Sequence, residues 1–263
     1  MINIVEHLIK KLESFGKKRV PKEIFNPEWE RVLYQNWDAW RRFSASTKTQ
    51  LKNDILIFLE DKKFEGCAGF EITDEVKLLV AAQATLLNIG RSTDHYPGLR
   101  NILIYPATYR AKVRAMTPHG IMNEGSQWRS GEAWSRGQIV LAWTEVVSGA
   151  KDAGDGRNLV YHEFAHQIDT DLGITRQTEA WCEQRVKPGN NWILSFSDEW
   201  MNFLERTQNR TETLIDEYGA QNVAEFFAVT SELFIEKPSQ LKQKYPRLFS
   251  LMCELYQFNP ETL

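Results

Sequence analysis

The segment HEFAH, at residues 162–166, has the residue types and the spacing of a metal-dependent hydrolase. It lies in an apolar run over residues 159–168 whose pattern predicts a helix. Residues four apart on a helix share one face, so the imidazoles of His162 and His166 can both reach one Zn2+. Glu163 lies one residue round from His162 and can contact a metal-bound water without filling a coordination position. We predict that the two histidines bind a metal ion and that Glu163 is the general base.

A zinc hydrolase commonly has a third protein ligand, and the sequence favours Glu225 for it. The other histidines are scattered, and none extends the motif to HExxHxxGxxH. Glu225 lies in the apolar helical segment 223–229, where burying an unpaired carboxylate would be very costly. A metal ion would remove that cost, and so would an ordinary salt bridge within the helices.

Two further side chains could assist the predicted metal site. Tyr218 lies seven residues before Glu225, and its hydroxyl near the metal could hydrogen-bond the oxyanion of a tetrahedral intermediate. Ordinary packing is the alternative for this tyrosine. Asp169 lies three residues after His166 on the same helical face and could orient an imidazole N–H. The alternative is a solvated polar position.

The bulk composition excludes several classes of protein. The chain has 263 residues, of which 42% are hydrophobic and 25% charged, as in ordinary globular proteins. The net charge of −3 gives no basic field for nucleic acid, so we expect no direct DNA or RNA partner. No apolar run of about 18 residues predicts a membrane span. The N-terminus lacks the pattern of a secretory signal and the three cysteines form no CxxC pair, so we expect a cytoplasmic protein with free thiols.

The pattern along the chain predicts one α+β domain over residues 1–263, mostly helical with a small sheet. A helical N-terminal part, 1–95, begins with a short amphipathic helix over residues 1–20 and includes helices over 28–63 and 76–89. The motif-bearing part, 96–263, has strands at 101–105 and 138–143, separated by a polar stretch over 117–136. A polar connection follows the motif helix, and further helices are predicted over 191–208, 221–236 and 239–257.

Several spaced motifs, taken in order, make the chain resemble the Mlc titration factor A family of zinc peptidases. The resemblance covers about residues 70–258 and is weaker before them. It is carried by LIYPA at 103–107, GEAW at 131–134, GQIVLAW at 137–143, DGRN at 155–158, HEFAHQID at 162–169 and AEFFAVTSE at 224–232. The resemblance implies a zincin-like metallopeptidase domain with one Zn2+ per chain. It also implies a cytosolic peptidase of aminopeptidase type, acting on peptide substrates.

The end of the site also resembles the catalytic domain of anthrax lethal factor, which has an HEFGH helix and then a tyrosine-glycine pair followed by an AEFFA helix. By this resemblance His162, His166 and Glu225 ligate zinc, Glu163 is the general base and Tyr218 stabilises the oxyanion. The tyrosine-to-glutamate spacing of seven is the same in both.

The strand at 138–143 precedes the motif helix, and we predict that it is the edge strand that pairs with an extended peptide. The predicted substrate groove is therefore formed by Ile139, Val140, Leu141 and Trp143, with core packing as the alternative for Trp143.

Two other functions stay open at this stage. The founding member of the family also binds a glucose-responsive transcriptional repressor, so the chain could be a sequestering factor with little or no catalysis. It could also be a zinc hydrolase acting on esters or other non-peptide substrates, because HExxH alone does not distinguish them.

Overall fold

The structure is a computed structural model that describes residues 20–91, 95–107, 109–116, 122–129, 131–134, 137–184 and 191–263. Nearly all of the amphipathic helix predicted over residues 1–20 lies outside these ranges. Within them the fold is α+β and mostly helical, as predicted. The helices of the N-terminal part are α1 Pro27–Asn36, α2 Ala45–Asp61 and α3 Asp74–Leu87. Those that follow are α4 Trp143–Lys151, α5 Leu159–Leu172, α6 Ile174–Gln184, α7 Asn191–Gln208, α8 Val223–Glu236, α9 Pro238–Lys244 and α10 Pro246–Tyr256.

The strands form a four-stranded mixed sheet and a separate hairpin. The strands are β1 Lys63–Gly66, β2 Asn101–Tyr105, β3 Tyr109–Met116, β4 Met122–Arg129, β5 Gly131–Trp134 and β6 Gln138–Ala142. The order in the sheet is β1-β2-β6-β5, in which β1, β2 and β6 are parallel and β5 is antiparallel to β6. Strands β3 and β4 pair with each other.

Several sequence predictions of local structure need correction. The polar stretch over 117–136, to which the sequence assigned no strand, contributes β4 and β5. Its polar residues do not alternate with apolar ones, so the usual signal of a half-buried strand is missing. Strand β1 begins where the helical pattern over 28–63 ends, and no strand was predicted there. Helix α6 occupies the expected polar connection.

Strand β6 lies inside the sheet, and the prediction that it is a substrate-binding edge strand is wrong. It pairs with β2 on one side and β5 on the other, so its backbone groups already have partners. Ile139, Val140 and Leu141 are buried, and Trp143 is the first residue of α4, where it packs against Phe70. These residues therefore form core rather than a groove. Strand β5 is the edge strand of this sheet that packs against the motif helix α5.

The motif helix α5 is held by apolar packing from the N-terminal part. Phe164 is fully buried, with its ring 5.8 Å from that of Phe58 and 4.7 Å from that of Tyr96. Burying a phenylalanine contributes about 1.5–3 kcal/mol, so this side of the helix is firmly attached to the core. The opposite face, with both histidines, is left towards the C-terminal helices. Helix α8 packs along it.

The start of α5 is fixed by the buried residue Asn158. Its side-chain oxygen accepts hydrogen bonds from the N–H groups of Val160 and Tyr161, at 3.0 and 3.1 Å. Its side-chain nitrogen donates to Gln83 Oε1 at 2.8 Å and to Glu236 Oε1 at 3.2 Å. One amide thus caps the motif helix and joins it to α3 and α8.

Replacing this cap tests the role of Asn158. Asn158→Ala should lower the free energy of unfolding by about 2–4 kcal/mol, because a helix cap is lost and buried polar partners are left unpaired. Asn26→Ala is the matched control, since Asn26 is exposed and caps α1 through a single bond to Glu28 N. We expect that control to lose about 0.5–1 kcal/mol. Urea denaturation measures both, and equal losses would contradict the special role of Asn158.

Candidate metal centre

Helix α5 presents His162 and His166 side by side. Their ring centroids are 4.9 Å apart and their Nε2 atoms are 3.3 Å apart. Both side chains are only about one-seventh exposed, at 14% and 15%. The spacing of four residues on one helical turn therefore places two nitrogen donors at one point of the surface.

Helix α8 brings Glu225 to the same point. Asn222 caps this helix by accepting a hydrogen bond from Glu225 N at 3.0 Å, which fixes the first turn. Glu225 Oε2 lies 3.0 Å from His162 Nε2 and 3.5 Å from His166 Nε2. The structure thus brings together the three residues that the sequence predicted as metal ligands.

The spacing of these three donors fits a tetrahedral metal site. Three ligand atoms at about 2.0–2.1 Å from one ion stand about 3.3 Å from each other in a tetrahedron. The observed separations of 3.0, 3.3 and 3.5 Å bracket that value. Two imidazole nitrogens and one carboxylate oxygen are also a donor set that suits zinc. The group of His162, His166 and Glu225 could therefore hold a metal ion.

The charges of the site are strongly coupled. Burial opposes the charged form of His162, but its hydrogen bonds to Glu225 and Glu232 outweigh burial and raise the pKa of the imidazole to about 10. Burial also opposes the charged form of Glu225, but hydrogen bonds from both histidines outweigh it and lower the pKa of that carboxyl to about 2. Each of these two groups therefore favours the charged form of the other.

Glu232 is the orienting residue that the sequence interpretation missed. Its Oε1 accepts a hydrogen bond from His162 Nδ1 at 2.8 Å, so Nε2 points at the other two donors. The backbone N–H of Asn158 donates to its other oxygen. The signal was present in the sequence, because Glu232 lies seven residues after Glu225, or about two helical turns, and so on the same face.

Asp169, which was predicted to orient an imidazole N–H, makes its described hydrogen bonds to Thr175 instead. The carboxylate of Asp169 accepts two hydrogen bonds from Thr175, from the backbone N at 2.7 Å and from Oγ1 at 2.6 Å. These bonds hold the start of α6 against α5. Asp169 lines the cleft that contains the metal centre, but its hydrogen bonds stabilise the junction of α5 and α6.

A second buried carboxylate of α8, Glu236, holds the loop before the motif helix. It accepts hydrogen bonds from Gly156 N at 2.9 Å and from Arg157 N at 3.1 Å. Burial raises the pKa of Glu236 to about 9, so this group is neutral at physiological pH. The loop that starts α5 is thus attached to the helix that carries Glu225 and Glu232.

The two predicted catalytic residues lie at the same cleft. Glu163 is buried, at 4% exposed, and lines the cleft beside the two histidines. Tyr218 is on a 3-10 helix, Glu217–Ala220, and is 46% exposed. Its ring centroid is 5.9 Å from that of His162. The structure therefore brings Tyr218 beside the histidine pair.

The cleft that contains these groups has a volume of about 1410 Å³, and most of the charged side chains in its walls are carboxylates. That volume accommodates a peptide of several residues. Among the described residues that line it, the one basic side chain besides the histidines is Arg157. The carboxylates at its walls are Glu145, Asp155, Glu163, Asp169, Glu212, Asp216, Glu217, Glu225 and Glu232.

Comparison with known proteins agrees with this geometry. Residues 12–257 match the family model described as glucose-regulated metallo-peptidase M90. The chain is 34% identical over 249 residues to an uncharacterized protein of Synechocystis sp., covering 94% of this chain and 90% of that protein. It is 28% identical over 239 residues to the Mlc titration factor A of Escherichia fergusonii, covering 89% and 87%. For the Mlc titration factor A of Escherichia coli O7:K1 the values are 29% over 205 residues, covering 77% and 76%.

Weakening the hydrogen bond between His162 Nδ1 and Glu232 tests the orienting role of Glu232. Glu232→Gln should lower zinc affinity by about 10–100-fold, because a neutral amide supports the imidazole less well than a carboxylate. Glu236→Gln is the matched control, since it replaces a neutral buried group on the same helix that has no contact with His162 among those described. Competition with a chromogenic chelator measures both affinities. Equal affinity in Glu232→Gln and the unaltered protein would exclude the orienting role.

Metal binding should release a proton. Because the pKa of His162 is raised to about 10, its imidazole is protonated below that pH and must lose the Nε2 proton to coordinate. Zinc affinity should therefore rise by about tenfold per pH unit between pH 7 and 9. Calorimetry in two buffers of different ionisation enthalpy measures the proton. A binding enthalpy independent of the buffer would show that no proton is displaced.

Proposed function

The chain belongs to the glucose-regulated metallo-peptidase M90 family, and from this premise we propose that it is a zinc-dependent peptidase of aminopeptidase type. The observation that carries the proposal is the convergence of His162, His166 and Glu225 with tetrahedral spacing. We also propose that the domain is zincin-like. The mixed sheet, with an antiparallel edge strand beside the HExxH helix, supports that arrangement. The likeness to the catalytic domain of anthrax lethal factor stays a prediction.

The proposed chemistry divides among the residues of the cleft. Bound zinc would supply an acidified water and polarise the scissile carbonyl. Glu163 accepts the proton of the attacking water and passes it to the leaving amine. Its burial beside the histidines suits a base that must hold one position. Tyr218 donates a hydrogen bond to the developing oxyanion, and its place beside His162 supports that role.

The cleft also supports a proposal for how the substrate binds. An extended peptide needs an unpaired strand edge, and among the described strands β5 lies at an edge of the sheet and near α5. The anionic walls favour a cationic group, such as the free α-amine of a peptide. The acidic side chains therefore support cleavage near an unblocked N-terminus.

A second candidate is a sequestering factor for a transcriptional repressor, which the name of the Mlc titration factor A relatives favours. The discriminating observation is a complex that forms equally well with chelated protein and is not accompanied by peptide turnover. None of the helices among the described residues is long and apolar enough to cross a membrane. A cytoplasmic location stays a prediction.

Metal analysis combined with peptide cleavage tests the proposal. We expect about one zinc per chain and hydrolysis of short unblocked peptides, with N-acetylated versions of the same peptides cleaved at least about tenfold more slowly. Aminoacyl anilides and the matching esters, assayed side by side, separate a peptidase from an esterase. Protein that is loaded with zinc and cleaves none of these peptides would refute the proposed function.

Substitutions of two glutamates separate chemistry from metal binding. Glu163→Gln should keep its zinc and lose peptide hydrolysis by at least about 10²-fold, because the base is removed. Glu225→Ala should instead lose zinc affinity, because one of three ligands is removed. Glu254→Gln is the control, since it neutralises an exposed carboxylate of α10 that does not line the cleft. Full activity in Glu163→Gln would remove that residue from the mechanism.

A further inference from the structure

We propose that Arg157 is a positioning residue, which, through its ion pair with Asp216, holds Tyr218 beside the metal centre. Arg157 lies in the loop before the motif helix, and Asp216 directly precedes the 3-10 helix that carries Tyr218. The inference rests on the proposed function, in which Tyr218 stabilises the oxyanion. It adds a residue from a different part of the chain, to which that function assigns no role.

The contacts form a continuous path from Arg157 to Tyr218. Arg157 Nη2 donates to Asp216 Oδ2 at 2.6 Å. Asp216 Oδ1 accepts a hydrogen bond from the backbone N of Tyr218 at 2.9 Å, and Asp216 O accepts one from Gly219 N at 3.0 Å. The carboxylate that pairs with Arg157 is therefore the N-terminal cap of the helical turn bearing the tyrosine.

The other end of the path is firmly held. The backbone N of Arg157 donates to Glu236 at 3.1 Å and to Asp155 Oδ1 at 2.7 Å. The next residue, Asn158, caps α5 and donates its own N–H to Glu232. The backbone of this loop is bonded to both α5 and α8. It therefore holds the guanidinium of Arg157 in a defined position relative to the two histidines.

The tyrosine-bearing turn has a second attachment on its other side. Gly219 packs so closely on α8 that a Cβ there would lie 2.9 Å from Val229 Cγ2 and 3.2 Å from Phe226 Cα. This contact sets the distance of the turn from α8. The pair of Arg157 and Asp216 holds the turn on the side of the cleft, which both residues line. The ring of Tyr218 then keeps its 5.9 Å separation from the ring of His162.

The size of the effect should differ between stability and catalysis. The side chain of Arg157 is 76% exposed and that of Asp216 is 35% exposed, so the pair contributes little to folding. A shift of about 1 Å in a catalytic group can, however, reduce the rate by about 10²-fold. The pair should therefore affect kcat far more than the unfolding midpoint.

Kinetics of single and double variants test the proposal. Arg157→Ala and Asp216→Asn should each lower kcat by about tenfold, with KM within about twofold and zinc content unchanged. Arg157→Lys should recover part of the loss. In a Tyr218→Phe background, Arg157→Ala should have no further effect, because the group that it positions is gone. Arg247→Ala is the control, since it removes an exposed arginine paired with Asp198 elsewhere on the surface.

The opposite results would overturn the proposal. Full additivity of Arg157→Ala and Tyr218→Phe would mean that the arginine acts independently of the tyrosine. A raised KM with unchanged kcat would make it a substrate-binding residue. An unchanged kcat and KM would make it an ordinary surface ion pair.

Amide hydrogen exchange keeps this test separate from that of the proposed function. If the unaltered protein cleaves no peptide, the proposed function fails. The positioning of Tyr218 by the pair of Arg157 and Asp216 is then tested on structure alone. Arg157→Ala should then speed exchange at the amides of Tyr218 and Gly219 by at least about tenfold, whereas Arg247→Ala should not. Equal exchange in the two variants would overturn the positioning role of Arg157, whatever the activity of the protein.

Discussion

The contact between α5 and α8 is the interaction on which the site depends. Three glutamate side chains of α8, at positions 225, 232 and 236, lie on the face turned towards the motif helix and its preceding loop. Burying them would be very costly without partners. Each has partners: the two histidines for Glu225, His162 and Asn158 N for Glu232, and two loop amides for Glu236. This polar stripe is satisfied in one register of the two helices, and that register assembles the metal centre.

The same stripe explains why the motif helix needs its apolar side. Phe164 and its aromatic neighbours attach α5 to the N-terminal part of the chain, which leaves the histidine face free to meet α8. Asn158 then joins both supports, since it bonds Gln83 on α3 and Glu236 on α8. The apolar packing supplies stability, and the polar contacts supply the relative position of the helices.

The sequence predicted the donor triad because its signals are local or nearly so. A spacing of four places two histidines together on any helix, and an acidic residue in an apolar segment requires a partner. The position of β6 was missed because sheet order depends on pairings between distant segments. Its run of apolar residues, IVLA, is typical of a strand covered on both faces, and this reading would have placed it inside the sheet. Strands β4 and β5 carry no such pattern and could be found only through their pairing partners.

The arrangement of charges also bears on the choice between a peptidase and a sequestering factor. A surface that only captures another protein needs complementarity at its rim and has no need of coupled buried ionisable groups. Here, by contrast, a buried carboxylate flanks two histidines whose Nε2 atoms lie 3.3 Å apart. The acidic partners of His162 raise the pKa of its imidazole, so the site attracts positive charge at this point. Such an arrangement opposes folding less when it binds a divalent ion, because the ion satisfies all three donors at once. The convergence of three donors that one ion can satisfy therefore favours metal chemistry. A role in binding another protein would be additional to it.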